Sequence, residues 1–216
     1  MLHNSDTAVK PIIGNKQGLT SDNTQYNKDC LTFEPFSNEK IVQLIDTSEI
    51  EKHLQEVYNC MATNTTMNEK INALLYFESI IVNSNVANRL INSAFISLFL
   101  KMLKSIKSPV VRIRVCSVIG LLIRHATVID NDLAESNLVV GLVETMQDKN
   151  EQVRRRAMAA LGEYLFYAAT QLDDEQVDPV WKIQSSTVKI VINSIKPSED
   201  EYVRLFACKT LENICA

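Results

Sequence analysis

The side chains that could carry out chemistry in this sequence are few and far apart. Histidine occurs three times, as His3, His53 and His125, and these isolated imidazoles lack the short spacings of zinc ligands. The acidic run DDEQVD, residues 173–178, does not match the spacing of an EF-hand loop and is interpreted as a solvated loop. Because Gly-x-Ser-x-Gly turns, phosphate-binding loops and dinucleotide fingerprints are also missing, the sequence predicts no catalytic residue, no metal, no cofactor and no enzyme.

The cysteines favour an intracellular protein. Their number is odd and no two form a Cys-x-x-Cys pair; they are Cys30, Cys60, Cys116, Cys208 and Cys215. We interpret them as reduced, small core residues.

Charge and hydropathy exclude several classes of protein. The net charge of -4 gives no general attraction to nucleic acid. The opening MLHNSDTAVK has no basic segment followed by an apolar run, so it is not a secretory signal. The most apolar stretches, AFISLFL and NLVVGLV, are far shorter than the about 18 residues of a membrane-spanning helix. We therefore expect a cytoplasmic protein with no nucleic-acid partner and no membrane insertion.

Three stretches of the chain share one apolar pattern: VVRIRVCSVIGLLIRHA, QVRRRAMAALGEYLFYAA and YVRLFACKTLENICA. With Val111, Val153 and Val203 as position zero, apolar or small residues recur at offsets 4, 7, 8, 11, 12 and 15 in the first two copies. The third copy follows the same offsets as far as Cys215, with Thr210 at offset 7. These offsets form one stripe of an α-helix.

Each of these helices follows another amphipathic segment across a short polar break, KSP, QDKNE or KPSEDE. A recurrence of helix, turn and helix at about 40–50 residues is typical of HEAT and armadillo repeats. MNEKINALLYFESIIV is a fainter earlier copy with Ile71 at position zero, in which Glu78 interrupts the stripe. The predicted fold class is all-α: a HEAT/armadillo-type α-solenoid of about four helical-pair repeats, without a β-sheet.

The chain divides into two parts by composition. Residues 1–36 are polar and lack helical periodicity, so we expect a flexible tail or a loosely docked segment, with KPIIG as a short apolar hook. Residues 37–216 are expected to form the repeats. The last residues, LENICA, lie within an apolar stripe. Since solenoid ends require a polar cap, we expect either part of a longer array or a partner over the last helix.

Two sets of arginines lie beside the stripes. Arg112, Arg154 and Arg204 each follow a position-zero valine, where they are expected to bond carbonyls or acids of the adjoining repeat. Arg114, Arg124, Arg155 and Arg156 fall outside the stripe at 100° per residue, and Phe166 occupies the repeat position of Arg124. This ridge is predicted to dock an acidic protein surface with Phe166 as an aromatic anchor. The alternative is a solvated charged face.

The two long repeat motifs, over residues 108–171, resemble the helical-repeat region of the fourth Unc-51-like kinase/Runkel (Fused-like) family of Ser/Thr kinases and pseudokinases. The early VKPIIGNK is similar to the segment after the kinase-like domain in that family. The resemblance implies a HEAT/armadillo scaffold joined to a kinase-like head and linked to microtubules, cilia or the division apparatus. The chain itself has no glycine-rich loop, Val-Ala-Ile-Lys, His-Arg-Asp or Asp-Phe-Gly motif.

We therefore expect a non-catalytic protein-protein interaction scaffold, the regulatory or docking arm of a kinase-like or pseudokinase protein. Its expected partners are proteins with acidic surfaces, cytoskeletal or ciliary, and its expected location is the cytoplasm, cytoskeleton or cilium. Two alternatives stay open. One is a fragment of an active Ser/Thr kinase whose catalytic domain lies elsewhere. The other is an armadillo transport or nucleic-acid adaptor, against which the single Trp181 in an inter-repeat insertion argues.

Overall fold

The computed structural model describes residues 25–44, 47–171 and 179–215. The KPIIG hook and the DDEQVD run lie outside the described residues. Within them the chain forms α-helices and two 3₁₀ helices, Lys28–Cys30 and Pro179–Trp181, and no strand. The α-helices are α1 (Asn38–Leu44), α2 (Ser48–Ala62), α3 (Met67–Ile80), α4 (Ser84–Ile91), α5 (Phe95–Ser105), α6 (Pro109–His125), α7 (Asn131–Glu135), α8 (Leu138–Thr145), α9 (Glu151–Thr170), α10 (Ser185–Asn193) and α11 (Glu201–Cys215).

The predicted all-α solenoid of HEAT/armadillo type is confirmed, and in the described residues each predicted helix pair is preceded by a further short helix. Each repeat has a short first helix, a second helix and a longer third helix, as in α4, α5 and α6 or in α7, α8 and α9. In the fourth repeat the 3₁₀ helix Pro179–Trp181 stands in the first position and contacts α7. The apolar periodicity of the sequence did not reveal the short first helix, because α7, with 5 residues, is too short to show a helical period. A three-helix repeat of this kind is the armadillo type.

The third helices stack in chain order, α3 on α6, α6 on α9 and α9 on α11. We call this stack the long-helix ladder. Val111, Val153 and Val203 are buried at its centre, and burying a side chain of this size stabilises the fold by about 1.5–3 kcal/mol. In the first two copies all the predicted stripe positions are buried, and they form the core of the solenoid.

The first copy of the repeat is shifted relative to its predicted register. Ile71, expected at position zero, is only partly buried. Residues at offsets 0, 4, 7 and 8 from a start two positions later are buried, namely Ala73, Phe77, Ile80 and Ile81. The first turn of α3 is polar instead, because the Lys70 ammonium donates to the carbonyls of Met61 (2.8 Å) and Thr63 (2.6 Å) and so closes the turn after α2.

The described part of the predicted tail, residues 25–36, packs on the first repeat through its aromatic side chains. Phe33 is buried, and the ring of Phe36 stacks on the imidazole of His53 with 4.0 Å between centroids. The backbone N–H of Phe36 donates to the hydroxyl of Tyr76 at 3.2 Å. Residues 25–36 thus contact the first repeat, as in the docked alternative of the expectation for residues 1–36. Scattered aromatic residues bury surface without producing the periodicity that would reveal it in the sequence.

Four of the five cysteines divide into two groups, and Cys30 is partly exposed. Cys60 and Cys116 are buried, and burial raises the pKa of the Cys116 thiol to about 12. Cys208 and Cys215 on α11 are exposed, so their interpretation as core residues was wrong. The equivalent positions of α6 and α9 are buried, whereas no described helix covers that side of α11.

His53 joins residues 25–36 to the first repeat. Its Nε2 lies 2.6 Å from the Tyr76 hydroxyl oxygen, and its Nδ1 is buried without a hydrogen-bond partner. Burial, assisted by the positive charge of Lys40, lowers the pKa of His53 to about 4. The histidine is therefore neutral in the folded protein at neutral pH.

We expect the folded protein to lose stability in acid through His53. Its pKa falls from 6.5 in the unfolded chain to about 4 in the folded one, so the unfolded state takes up the proton first. The contribution is complete above pH 6.5 and is lost as pH falls toward 4, by about 3 kcal/mol. Urea unfolding at several pH values measures how the free energy of unfolding depends on pH. Between pH 4 and 6.5 this free energy should change less steeply with pH for His53→Gln than for wild type. His125→Gln, at a partly exposed histidine, should alter the pH dependence less. Equal slopes for all three proteins would contradict this assignment.

Ala157 tests the packing of the ladder. Its side chain is fully buried on α9, so Ala157→Leu should overpack the helix crossing and lower the free energy of unfolding by about 1–3 kcal/mol. Ala62→Leu makes the same change at an exposed position at the end of α2 and should stay within about 0.5 kcal/mol of wild type. Chemical denaturation of both variants measures the difference, and equal effects would show that the ladder packs on another face.

Candidate protein-binding surface

The arginines that follow the position-zero valines connect neighbouring repeats. The Arg112 guanidinium forms an ion pair with the carboxylate of Asp148, in the turn before α9. Arg154 donates to Glu199, in the turn before α11, from both Nε (3.1 Å) and Nη2 (3.0 Å). In each pair an arginine on one long helix binds the turn that precedes the next long helix. On α11 the equivalent Arg204 has a buried Nε without a hydrogen-bond partner.

Arg155 lies between repeats and not on an exposed ridge. Its Nε and Nη2 donate to the two carboxylate oxygens of Asp200, both at 2.8 Å, and its guanidinium lies 4.5 Å from the ring centroid of Tyr202. Its side chain is 14% exposed. These bonds and the nearby acids raise the pKa of Arg155. The prediction that this arginine faces solvent was wrong, because α11 packs against the helix face that the sequence left unassigned.

Arg114 and Arg156 share one buried acid. Arg114 Nη1 donates to Glu78 Oε2 at 3.2 Å, and both side chains are largely buried. Burial lowers the pKa of Arg156, against the opposing effect of the negative charge of Glu78. Burial also raises the pKa of Glu78, although both arginines oppose that change. The residue that interrupts the sequence stripe is thus the counter-charge of two predicted ridge residues.

Arg124 and Phe166 do meet at one surface cleft of about 370 Å³. The cleft lies where the carboxyl-terminal halves of α6 and α9 approach α11. We call it the ladder cleft, and its lining residues are Ile123, Arg124, Ala126, Glu163, Phe166, Tyr167, Thr170 and Asn213. Of the predicted partner-binding residues, these two are the ones that the fold places together at an accessible site.

The ladder cleft offers binding groups and no reactive constellation. Arg124 and Phe166 are half-buried, which leaves part of a cation and part of an aromatic ring accessible. Asn213 adds an amide, while the Tyr167 hydroxyl accepts the Ile129 N–H at 3.2 Å. The buried Glu163 and the partly buried Asn213 were not identified from the sequence, because only the stacking of α9 on α6 and of α11 on α9 brings them to Arg124. Their one sequence signal is polarity within an otherwise apolar helix.

Three other observations bear on function. A larger cleft of about 720 Å³ lies between α5 and α8, with Lys101, Lys104 and Glu144 in its lining and no aromatic residue. Among the described residues, no three histidine, cysteine or acidic side chains are grouped so that they could hold a metal ion. None of the described helices is by itself long and apolar enough to cross a membrane. The bent pair α4 and α5, at 67°, passes that test by length and composition.

The fold and this surface define an armadillo-type helical-repeat domain. No family model matches the chain. Over 99% of its length it is homologous to a region of the serine/threonine-protein kinase RUNKEL of Arabidopsis thaliana, with 32% identity over 232 residues. The serine/threonine-protein kinase ULK4 of Mus musculus is 22% identical over 217 residues, or 98% of this chain. The chain spans only 16% and 17% of the lengths of these two relatives.

Solved structures with a similar backbone include engineered and designed proteins. An engineered protein aligns with a TM-score of 0.50 and 15% identity, over 83% of this chain and 86% of its own. A designed armadillo repeat protein, solved in complex with the peptide (KR)4, aligns with a TM-score of 0.49 and 17% identity, over 83% of this chain and 87% of its own. At 15% identity, the similarity to the engineered protein concerns the fold alone.

The Arg155–Asp200 contact provides a quantitative test of the inter-repeat ion pairs. Arg155→Ala should lower the free energy of unfolding by about 2 kcal/mol, because it leaves a mostly buried carboxylate without its partner. Asp200→Asn is the matched change, since asparagine retains the cap on α11 but removes the charge. A double-mutant cycle should give a coupling of about 1–2 kcal/mol. A coupling near zero would mean that Arg155 is a solvated surface residue after all.

Proposed function

We propose that this chain is a non-catalytic protein-interaction domain, which docks a partner in the ladder cleft. The observation that carries this proposal is the meeting of Arg124 and Phe166 at one accessible cleft on the long helices. The homology of the chain to regions of two kinases supports a wider role as the regulatory or docking arm of a kinase-like or pseudokinase protein. In that role it would act in the cytoplasm, at microtubules or cilia.

The chemistry of the cleft favours an acidic segment as the docked element. A carboxylate of the partner would bind the Arg124 guanidinium, while an apolar side chain beside it would pack on Phe166 and Ile123. The Asn213 amide can bond the partner's backbone, since an amide offers both a donor and an acceptor. Aromatic and arginine side chains contribute most of the energy at many protein interfaces. One cation beside one aromatic ring therefore gives a small but specific anchor.

The docking site is smaller than the ridge of four arginines that the sequence suggested. Arg155 binds Asp200 and Glu151 through its guanidinium, and Arg114 binds Glu78. A partner would have to break these contacts and leave the mostly buried Asp200 and Glu78 carboxylates unpaired, which is costly. Arg124 has no such commitment among the hydrogen bonds and ion pairs of the described residues. We therefore retain Arg124 and Phe166 as the partner-binding residues.

Two observations weigh on the alternative functions. The chain lacks all the phosphate-cradling and catalytic motifs of a kinase, so an active kinase would need them from a separate domain. Trp181, the only tryptophan, is buried, with its ring centroid 5.1 Å from that of Tyr167, and its Nε1 donates to Asn131 at 2.9 Å. It is thus committed to the core and not presented to a peptide, which disfavours a transport adaptor.

Co-sedimentation with stabilised microtubules tests the docking proposal. We expect the wild-type chain to sediment with microtubules, and the double variant Arg124→Glu/Phe166→Ala to bind at least tenfold more weakly, which corresponds to about 1.4 kcal/mol. Binding should also weaken as salt rises from low to physiological concentration, because one side of the contact is charged. Microtubules whose acidic carboxyl-terminal tails have been removed by limited proteolysis should bind the wild type as weakly as the variant.

Lys104→Glu is the matched control. It reverses one charge on the larger cleft between α5 and α8, away from Arg124, and should leave binding unchanged. Circular dichroism confirms that each variant is folded. If wild type and double variant bind equally, the ladder cleft is not the docking site. If neither binds intact microtubules, the cytoskeletal partner is wrong.

A further inference from the structure

An apolar pocket of about 290 Å³ lies between the third and fourth repeats. Its walls come from α7, α8 and α9 on one side and from α10 and the 3₁₀ helix Pro179–Trp181 on the other. We call it the inter-repeat pocket, and its apolar lining residues are Ala134, Val139, Val140, Val143, Leu165, Val180, Trp181, Ile183 and Ile190. Concave sites lined mainly by aliphatic and aromatic side chains are those in which proteins bind small apolar molecules.

The pocket accompanies the unusual start of the fourth repeat. Between the second and third repeats α8 packs closely on α5, since a Cβ at Gly141 would lie 2.8 Å from Leu100 Cδ2. In the fourth repeat a 3₁₀ helix replaces the short first α-helix, and α10 approaches α8 less closely than α8 approaches α5. Both walls of the pocket belong to described repeats, and a separate cleft lies between α10 and Ile214 of α11. The pocket is therefore internal to the solenoid.

Two buried hydroxyl groups line this pocket. Tyr164 on α9 and Thr187 on α10 are each 7% exposed, and neither hydroxyl has a hydrogen bond to another described residue. By contrast, the buried Thr145 and Thr210 donate to the carbonyls four residues earlier, at 2.7 and 2.8 Å. Burial raises the pKa of Tyr164, so its hydroxyl keeps its proton and can donate it. Because burying a hydroxyl without a partner is costly, the two groups indicate a ligand with a polar atom.

We propose that the inter-repeat pocket binds a small neutral molecule, an aromatic or alicyclic ketone, whose oxygen accepts hydrogen bonds from Tyr164 and Thr187. A carbonyl oxygen has two lone pairs and no proton to donate, which matches two hydroxyl donors. The ring system of the ligand packs against Trp181 and the valines of α8. The exposed Lys182 and Glu144 also line the pocket, one of each sign, so they favour no net charge on the ligand. This inference is independent of the proposed function.

Calorimetric titration of the full chain with 1-tetralone and with tetralin tests the class of ligand. The two probes share a bicyclic skeleton and differ in the carbonyl group. Wild type should bind 1-tetralone at least tenfold more tightly than tetralin, because the hydrocarbon leaves both hydroxyls unpaired. Binding of either probe should shift the fluorescence emission of Trp181, the only tryptophan of the chain, since its ring lines the pocket. The proposal is wrong if 1-tetralone does not bind, or binds no more tightly than tetralin.

Variants of the lining residues test the site. Tyr164→Phe/Thr187→Val removes both hydroxyls with little change of shape, so this double variant should bind the two probes equally. Val143→Phe should fill the pocket and abolish the binding of both, whereas Val128→Phe, the same change at a 58% exposed position after α6, should bind as wild type does. Circular dichroism and thermal unfolding confirm that each variant is folded. A double variant that keeps the wild-type preference for the ketone, or a Val143→Phe variant that binds as tightly as wild type, would refute the site.

Discussion

The stacking of one long helix on the next is the constraint on which the rest of this structure depends. No single repeat can bury the apolar stripe that begins at Val111 or Val153, because each stripe needs a neighbouring helix to cover it. The short first helices and the turns between repeats accordingly place α3, α6, α9 and α11 side by side. Polar side chains then fix their alignment, as when Arg112 and Arg154 bind the turns before the next long helices.

The ion pairs between repeats limit which arginines are accessible on the surface. Glu78 and Asp200 hold arginines that would otherwise have formed an exposed basic ridge. Such contacts are worth more than solvated ion pairs, because their mostly buried groups are poorly screened by water and salt. What remains accessible near the ridge is the cleft between Arg124 and Phe166. The scaffold and the proposed docking site thus compete for the same residue type, and position along the ladder decides which arginine serves which purpose.

The two ends of the described fold differ in the same physical terms. Residues 25–36 place aromatic side chains over the first repeat, and the neutral His53 and Tyr76 accompany them under that cover. At the other end α11 presents Cys208 and Glu212 at positions whose equivalents on α6 and α9 are buried.

The sequence by itself determined the helical class, the repeat and its buried positions. The stripe at offsets 4, 7 and 8 is a local property of each helix, and Val111, Val153 and Val203 are buried as that pattern requires. The tertiary structure decided which helix faces lie against other helices. A helical period gives the angle of Arg155 around α9 but not that α11 brings Asp200 and Tyr202 to it. The same holds for Glu78, which interrupts a stripe in the sequence yet neutralises arginines of other repeats, because such pairing depends on residues far apart in the chain.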